Sequence, residues 1–285
     1  TGALISAIDT QTGTVASPNG LSSPTLYDAD QDGQPELAYA GDLDGQVWKF
    51  DLVANTATKI FTTSPVQSIT AAPVVVRHHL GGQMVMFATG RMLTSGDKIN
   101  NGIHYAYGIW DGAPAGNNSL LSQTLSSSTY THNGETFGVR TITANAPNWN
   151  ANKGWRVALH AGERVVGERP FYNAGRFYFL ATNPVAAGGE NYLYELLALS
   201  GGSPSAPIFD LNKDGEFNNS DKAANGGIPV AKYLGPGIFS QPRFVEGDGL
   251  STTLYVFHPD LPIEEGVPTP PEDPGVSGGH FDYDI

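Results

Sequence analysis

The stretch SPTLYDADQDGQPELAYAGDLDGQVWKFDL, residues 23–52, contains a complete folding unit. Pro24 opens a first short strand, a Gly-containing turn follows, and a more apolar strand begins at Leu37. Proline is tolerated at the start of a strand because that position need not donate a ladder hydrogen bond. A third strand, Gln46–Asp51, comes after a second glycine turn. The stretch therefore predicts a small antiparallel sheet.

The same unit recurs along the chain. Its later copies open at Pro73, Pro170 and Pro242 and turn at or near Gly82, Gly175 and Gly247. Third strands are predicted at residues 46–51, 105–111 and 192–197. The prolines are spaced by about one or two repeats of roughly 40–50 residues, the length of a propeller blade. Radial repetition of small sheets predicts a β-propeller, whereas the alternative, a β-sandwich, does not require this recurrence.

The repeat predicts an all-β, incomplete propeller with quinoprotein-like blades. We count about four to five blades, and a ring commonly takes more. Residues 4–8 are interpreted as the last strand of an upstream blade, and residues 119–131 as an insertion or loop. The predicted organisation is a propeller over residues 1–258, a Pro/Gly-rich linker over 259–279 and the start of a truncated element at 280–285. We interpret the chain as a fragment of a larger protein.

Composition narrows the possible functions. Charged residues make up 15 % of the 285, with 35 Gly and 20 Pro, which favours a turn-rich β protein. A net charge of −13 argues against nucleic-acid binding, which needs clustered Lys and Arg. The chain has no cysteine, which excludes disulfides and thiolate metal sites. No apolar run approaches the ~20 residues that span a bilayer.

A first acidic loop, residues 28–36, carries oxygens at alternate positions and a glycine, Gly33, at its sixth position. Oxygens at positions 1, 3 and 5 converge on a hard cation, and the glycine allows a sharp turn. The alternative is an Asp-rich turn that is exposed to solvent and binds no metal. Tyr39 stands at position 12, so a closing bidentate Glu is missing and the loop differs from an EF-hand. The predicted ligands are the side chains of Asp28, Asp30, Asp32 and Glu36 and the backbone carbonyl of Gln34.

A second acidic loop, residues 210–221, is closer to the twelve-residue calcium pattern and is locally similar to dockerin loops. Mg²⁺ suits such loops less well because it keeps its waters. We therefore predict one or two Ca²⁺ ions for the chain. The predicted ligands here are Asp210, Asn212, Asp214, the carbonyl of Glu216, Asn218 directly or through water, and the closing Asp221.

Other motifs carry less weight. The seven histidines show no zinc-ligand spacing, and the G-x-S-x-G match at residues 275–279 lacks the strand–turn–helix context of a nucleophile elbow. Trp48 and Trp110 are better explained by packing within blades than by a sugar-binding platform. His280, Asp282 and Asp284 alternate, which predicts one face of a strand.

Taken together, these features give the chain a family resemblance. It resembles the C-terminal propeller of the type IV pilus tip-associated adhesin and biogenesis family (PilY/PilC) over nearly its whole length. Each matching segment alone is weak evidence for the resemblance, but their combination is specific to this family. Besides the first acidic loop, the matching segments are residues 1–5, 19–24, 39–52, 68–73, 87–91, 107–111, 154–155, 162–165 and 278–282.

The resemblance implies a non-enzymatic function at the tip of a retractable pilus, outside the cell or at the outer membrane. Members support pilus biogenesis, surface attachment and twitching motility, and calcium in the loop corresponding to residues 28–36 acts as regulator. Implied partners are minor pilins, the pilus tip, a host or abiotic surface ligand and the missing N-terminal part of the same protein. Two departures stand out: Glu36 replaces the family's usual Asp, and no cysteine flanks residues 188–189.

Two alternatives belong to other classes. A quinoprotein dehydrogenase propeller would use pyrroloquinoline quinone with calcium. In both acidic loops, however, the loop's own residues would fill the coordination shell of the calcium ion, which leaves no position for the quinone. No pair of residues suited to acid–base catalysis stands out either. A dockerin-like interaction module would rest on the second loop alone and lacks the duplicated helical repeat.

Overall fold

The computed structural model describes residues 4, 6–167, 169–186, 189–237 and 239, and the backbone of three strands between 243 and 268. Two helical segments, α1 Ser95–Lys98 and a 3-10 turn at Asn219–Asp221, each make a single turn. No helix in the described part of the chain could therefore span a membrane. Almost all the regular structure is β.

The first sheet is formed by the stretch that opened the sequence analysis. Its strands are β1 Thr25–Tyr27, β2 Leu37–Gly41, β3 Gln46–Asp51 and β4 Thr56–Thr62, paired in that order and all antiparallel. β2 and β3 are largely buried because they lie in the middle of the sheet. β4 is a fourth strand that the sequence analysis did not predict. It is a largely exposed edge strand of mixed polarity.

The second sheet has the order β5-β6-β7-β11-β8, in which β8 lies parallel to β11. Between β7 and the fourth blade strand β11, the chain inserts residues 111–151, which contribute the edge strand β8 to this sheet. Its strands are β5 Val74–Arg77, β6 Gln83–Ala88, β7 Tyr105–Trp110, β8 Ser119–Gln123 and β11 Asn152–Ala158.

The third sheet has the order β12-β13-β14-β15-β10-β9, and it includes a hairpin that belongs to the insertion of the second blade. β10 pairs with the outer blade strand β15, so the insertion joins two blades. Its strands are β9 Leu125–His132, β10 Glu135–Ile142, β12 Phe171–Asn173, β13 Arg176–Asn183, β14 Glu190–Leu197 and β15 Pro229–Gly235.

A fourth sheet contains β16 Arg243–Glu246, β17 Thr252–Tyr255 and β18 Val267–Pro268. The predicted all-β, incomplete propeller is confirmed: the strands group into separate blade-like sheets, and no sheet closes on itself among the described residues. Pro24, Pro73 and Pro170 each directly precede the first strand of a sheet, as predicted. Pro242, the linker (apart from β18) and the tail at 280–285 lie outside the described residues.

Residues 119–131, predicted as an insertion or loop, are an insertion that forms β8 and most of β9, because paired sheet edges satisfy their backbone groups. One sequence prediction is corrected. Residues 4 and 6–8 form no strand in the described chain. An extended segment becomes a strand only when a neighbour pairs with its backbone, and the described residues offer these positions none.

Because successive strands of each blade are antiparallel, the connections between them lie alternately at one end of the blade and at the other. First-to-second and third-to-fourth connections share one end, which we call the acidic end because it carries residues 28–36 and 210–221. Second-to-third connections and the links from one blade to the next lie at the opposite end. There each link bonds to a second-to-third connection: Ser68 Oγ donates to the Leu43 carbonyl (2.7 Å), and Val165 N donates to the Thr89 carbonyl (3.2 Å).

Candidate metal centre

The first acidic loop owes its shape to two residues in the left-handed region, Gln31 (φ 64°) and Gly33 (φ 90°). These turns bring backbone N–H groups onto the loop's own carboxylates. Gly33 N donates to Asp28 Oδ2 (2.7 Å), and Gln34 N donates to Asp32 Oδ1 (2.8 Å). The carboxylates are thereby held in place before any ion is considered.

The loop brings four carboxylates into one group. One oxygen from each of Asp28, Asp30, Asp32 and Glu36 lies within 4.8 Å of the others. Glu36 closes the group because its Oε2 accepts from Ala29 N (2.7 Å). Desolvation, and then the neighbouring carboxylates, beginning with Asp32, raise the pKa of Asp30 above its ordinary value.

The second acidic loop follows the same backbone path. Lys213 (φ 60°) and Gly215 (φ 83°) are left-handed at the same loop positions as in the first loop. Gly215 N donates to Asp210 Oδ2 (2.8 Å), and Glu216 N donates to Asp214 Oδ1 (2.8 Å), which repeats the first loop's bonds. The two loops are therefore copies of one local structure.

The closing carboxylates are also equivalent, although they stand at different loop positions. Asp221 Oδ1 accepts from Leu211 N (2.8 Å), just as Glu36 accepts from the second residue of its own loop. Asp221 is fully buried. Asp221 comes at the twelfth position and Glu36 at the ninth, so spacing alone does not reveal their shared role.

The two loops differ in how close their carboxylate groups lie to one another. Within the described part of the chain, a group of three or more carboxylates within 4.8 Å forms only in the first loop. In the second, Asn212 Nδ2 donates to Asp214 Oδ2 (2.7 Å), and Asn218 Nδ2 donates to Glu216 Oε2 (3.0 Å). Amide groups thus partly separate the acids there.

Tyr130 of β9 anchors the second loop to the inserted hairpin, a role that no sequence motif signalled. Its hydroxyl donates to the Ser220 carbonyl (3.0 Å). Burial, and then the charges of Asp221, Asp210 and Asp214, raise the pKa of Tyr130. A second tie runs from Ala224 N to the Thr129 carbonyl (2.8 Å). The second loop therefore contacts an element that comes from the neighbouring blade.

The donor set decides what the first loop can hold. Its side-chain donors are all carboxylate oxygens, which hard divalent cations such as Ca²⁺ and Mg²⁺ prefer. Four clustered acids repel each other, and a cation would relieve that repulsion. The group can therefore hold a metal ion.

The other sequence candidates are not part of the acidic loops. Trp48 and Trp110 are buried, and Trp48 Nε1 donates to Asp42 Oδ2 (2.8 Å), as the blade-packing interpretation predicts. His78 is buried and stacks on Trp110 at 4.4 Å between ring centroids. The G-x-S-x-G match and the alternating residues 280–284 lie outside the described residues.

Known proteins resemble this chain in both sequence and fold. The family model described as the PilY1 beta-propeller domain matches residues 1–64 and 57–133. The type IV pilus biogenesis factor PilY1 of Pseudomonas aeruginosa is 30 % identical over 285 residues, which cover 79 % of this chain and 24 % of that protein. A PilY1 homolog of Xylella fastidiosa is 30 % identical over 248 residues, covering 74 % of this chain and 17 % of that protein.

A solved structure supports the fold. The crystal structure of the Pseudomonas aeruginosa PilY1 C-terminal domain superimposes with a TM-score of 0.77 at 23 % identity, covering 92 % of this chain and 62 % of that one. This likeness bears on the fold alone. The chain spans about a quarter or less of the length of the curated relatives named above.

Proposed function

The chain belongs to the PilY1 family, as part of its C-terminal propeller region, and we propose that it is a calcium-binding, non-enzymatic part of the type IV pilus machinery. The names of the relatives, pilus biogenesis factors, support a role in pilus biogenesis. The observation that carries the calcium proposal is the group of four carboxylates, Asp28, Asp30, Asp32 and Glu36.

Calcium suits this group better than magnesium. Ca²⁺ accepts six to eight oxygens in irregular geometry, whereas Mg²⁺ demands a small octahedron and keeps its waters. Four side chains and the Gln34 carbonyl would supply five protein ligands, and water would complete the shell. Such an ion would fasten the connection between the first two strands of the first blade. Because it would bind only the folded loop, it would stabilise the protein by mass action.

The second loop would hold a second calcium ion through Asp210, Asn212, Asp214, Glu216, Asn218 and Asp221. Its support is the backbone path shared with the first loop. This ion would stiffen a loop that also contacts the inserted hairpin, so its effect would reach two blades.

For the whole protein, we propose a place at the extracellular pilus tip, where it contacts minor pilins and supports surface attachment and twitching motility. Calcium would act as the regulator: loss of the ion would loosen the acidic end and change its contacts with pilus subunits. Both acidic loops lie at that end of their blades, which would let one surface respond to calcium.

Calorimetric titration with Ca²⁺ tests the assignment of the two sites. Asp32→Ala should remove one binding event and Asp214→Ala the other, since each deletes a central ligand. Asp44→Ala is the matched control, because Asp44 is exposed and outside both loops. Unchanged stoichiometry in Asp32→Ala would contradict the first site. Introduced into the whole protein, Asp32→Ala should change the diameter of the twitching-motility zone, whereas Asp44→Ala should not. Equal diameters for the two variants would contradict a regulatory role of calcium in pilus function.

A further inference from the structure

A cavity of about 240 Å³ opens at the end of the blades opposite the acidic end. Its walls come from three connections, residues 63–73, 89–104 and 159–167. Gly90 joins these walls: its N–H donates to the Ser68 carbonyl (2.9 Å), and a Cβ at this position would lie 2.0 Å from the Val165 carbonyl oxygen. The cavity is thus held in shape by backbone contacts between connections.

The cavity is cationic in an acidic protein. Arg91, Arg164 and Asp97 line it, which leaves one formal positive charge against −13 for the chain. Arg91 bonds Asp97 Oδ1 through Nε (3.1 Å) and Nη2 (3.0 Å), and its Nη1 makes no hydrogen bond to a described residue. The Arg91 side chain is 44 % exposed, so this donor remains accessible to a ligand.

Arg164 carries a buried charge that no carboxylate neutralises directly. It is 1 % exposed, and it donates to the backbone carbonyls of Gly162, Asp97 and Asn100. No acidic side chain of the described residues lies within ion-pair distance of its guanidinium. A buried cation without a paired anion is costly, so the local potential favours an anion nearby.

His104 supplies a buried donor. The residue is 7 % exposed, and its Nε2 has no hydrogen-bond partner among the described residues. Its Nδ1 lies 3.2 Å from Thr89 Oγ1, whose single proton also has Gln67 Oε1 within reach at 3.1 Å. A donor role for His104 requires the tautomer in which Thr89 donates to Nδ1 and Nε2 carries the ring proton. Burial, and then the charge of Arg164, lower the pKa of His104 to about 4, so the imidazole is neutral near pH 7.

One lining residue of the cavity is aliphatic. Val66 is 66 % exposed, and Ile99, which neighbours the lining residue Asn100 in the chain, is 79 % exposed. Exposed aliphatic side chains beside an anion-binding cavity fit a ligand that is charged at one end and apolar at the other.

We propose that this cavity binds a carboxylate carried by a short aliphatic group, with Arg91 and His104 as its donors. A free branched-chain acid and the C-terminus of a polypeptide with an aliphatic last residue share this chemistry. The carboxylate would lie between the Arg91 guanidinium and the neutral His104 ring, near the buried charge of Arg164, and Val66 would pack on the aliphatic group. The site lies away from the acidic loops and is independent of calcium.

NMR titration of the ¹⁵N-labelled protein, followed through the His104 ring, tests the proposal. N-acetylglycyl-L-leucine and 3-methylbutanoate should give saturable shifts, and N-acetylglycyl-L-leucinamide, which lacks the charge, should not. Tighter binding of the peptide assigns the site to a chain end, and equal binding assigns it to a free acid. Equal shifts with the amide would overturn the proposal.

Two variants and a matched control sharpen the test. Arg91→Gln should weaken the peptide carboxylate at least roughly tenfold, the effect of losing a charge-assisted hydrogen bond. Arg77→Gln removes the same charge from an exposed position outside the cavity and should change nothing. Val66→Glu, an exposed substitution that leaves the interior intact, should also weaken binding by repulsion. Unchanged affinity in Val66→Glu, or equal losses in Arg91→Gln and Arg77→Gln, would refute the site.

Discussion

Replacing Arg140 by Met tests whether the inserted hairpin is a structural joint between the second and third blades. Arg140 lies on β10, is 8 % exposed, and donates from Nη2 to Glu163 Oε1 (2.9 Å). Its guanidinium also stacks 3.9 Å from the centre of the Tyr192 ring on β14. One side chain thus connects the insertion, the link after β11 and the third blade.

The expected loss of stability follows from the hydrogen-bond donors that the Glu163 carboxylate keeps when Arg140 is removed. The carboxylate is 1 % exposed, and without Arg140 its donors are the neutral Tyr194 hydroxyl (2.6 Å) and His160 N (3.3 Å). Breaking a buried ion pair by removing one partner costs about 3–5 kcal/mol, because the other charge stays buried and unpaired. Loss of the stacking on Tyr192 adds roughly 1 kcal/mol.

Urea unfolding followed by tryptophan fluorescence measures this loss. Arg140→Met should lower the free energy of unfolding by about 5 kcal/mol. The double variant Arg140→Met/Glu163→Gln should recover part of it, because the unpaired charge is gone. A loss below about 1 kcal/mol would refute the reasoning, since it would mean that water reaches Glu163. A double variant no more stable than the single one would refute it as well.

Two further predictions concern Tyr130 and His78. Tyr130→Phe removes the hydrogen bond to the Ser220 carbonyl and should lower the stability measured by thermal unfolding by about 1 kcal/mol. Calorimetric titration should show the same calcium stoichiometry as the wild type. Loss of a binding event would contradict this, because Tyr130 would then be part of the metal site. Burial, and then His79, lower the pKa of His78 from 6.5 to about 4, so its contribution to stability is full above pH 6.5 and falls with the pH. Between pH 7 and 4.5 the wild type should lose about 2 kcal/mol more than His78→Phe, and equal losses in urea unfolding would contradict this.

Much of this protein could be predicted locally. The prolines before β1, β5 and β12 marked where blades begin, because a strand start is where a sheet tolerates proline. The alternate spacing of residues 28–32 and 210–214 encodes the loop path, because short Asp and Asn side chains bond N–H groups two to five residues away. β4 escaped prediction because an exposed edge strand of mixed polarity carries little apolar pattern.

What the sequence by itself determined is therefore the blade repeat and the two acidic loops, since both arise from contacts within a few residues. Only the tertiary structure decided that β10 joins the next blade, that Tyr130 holds the second loop, and that Glu36 and Asp221 close their loops in the same way. Each of these depends on backbone and side-chain groups that folding brings together. The spacing of residues along the chain does not encode where an inserted hairpin finds its partner strand.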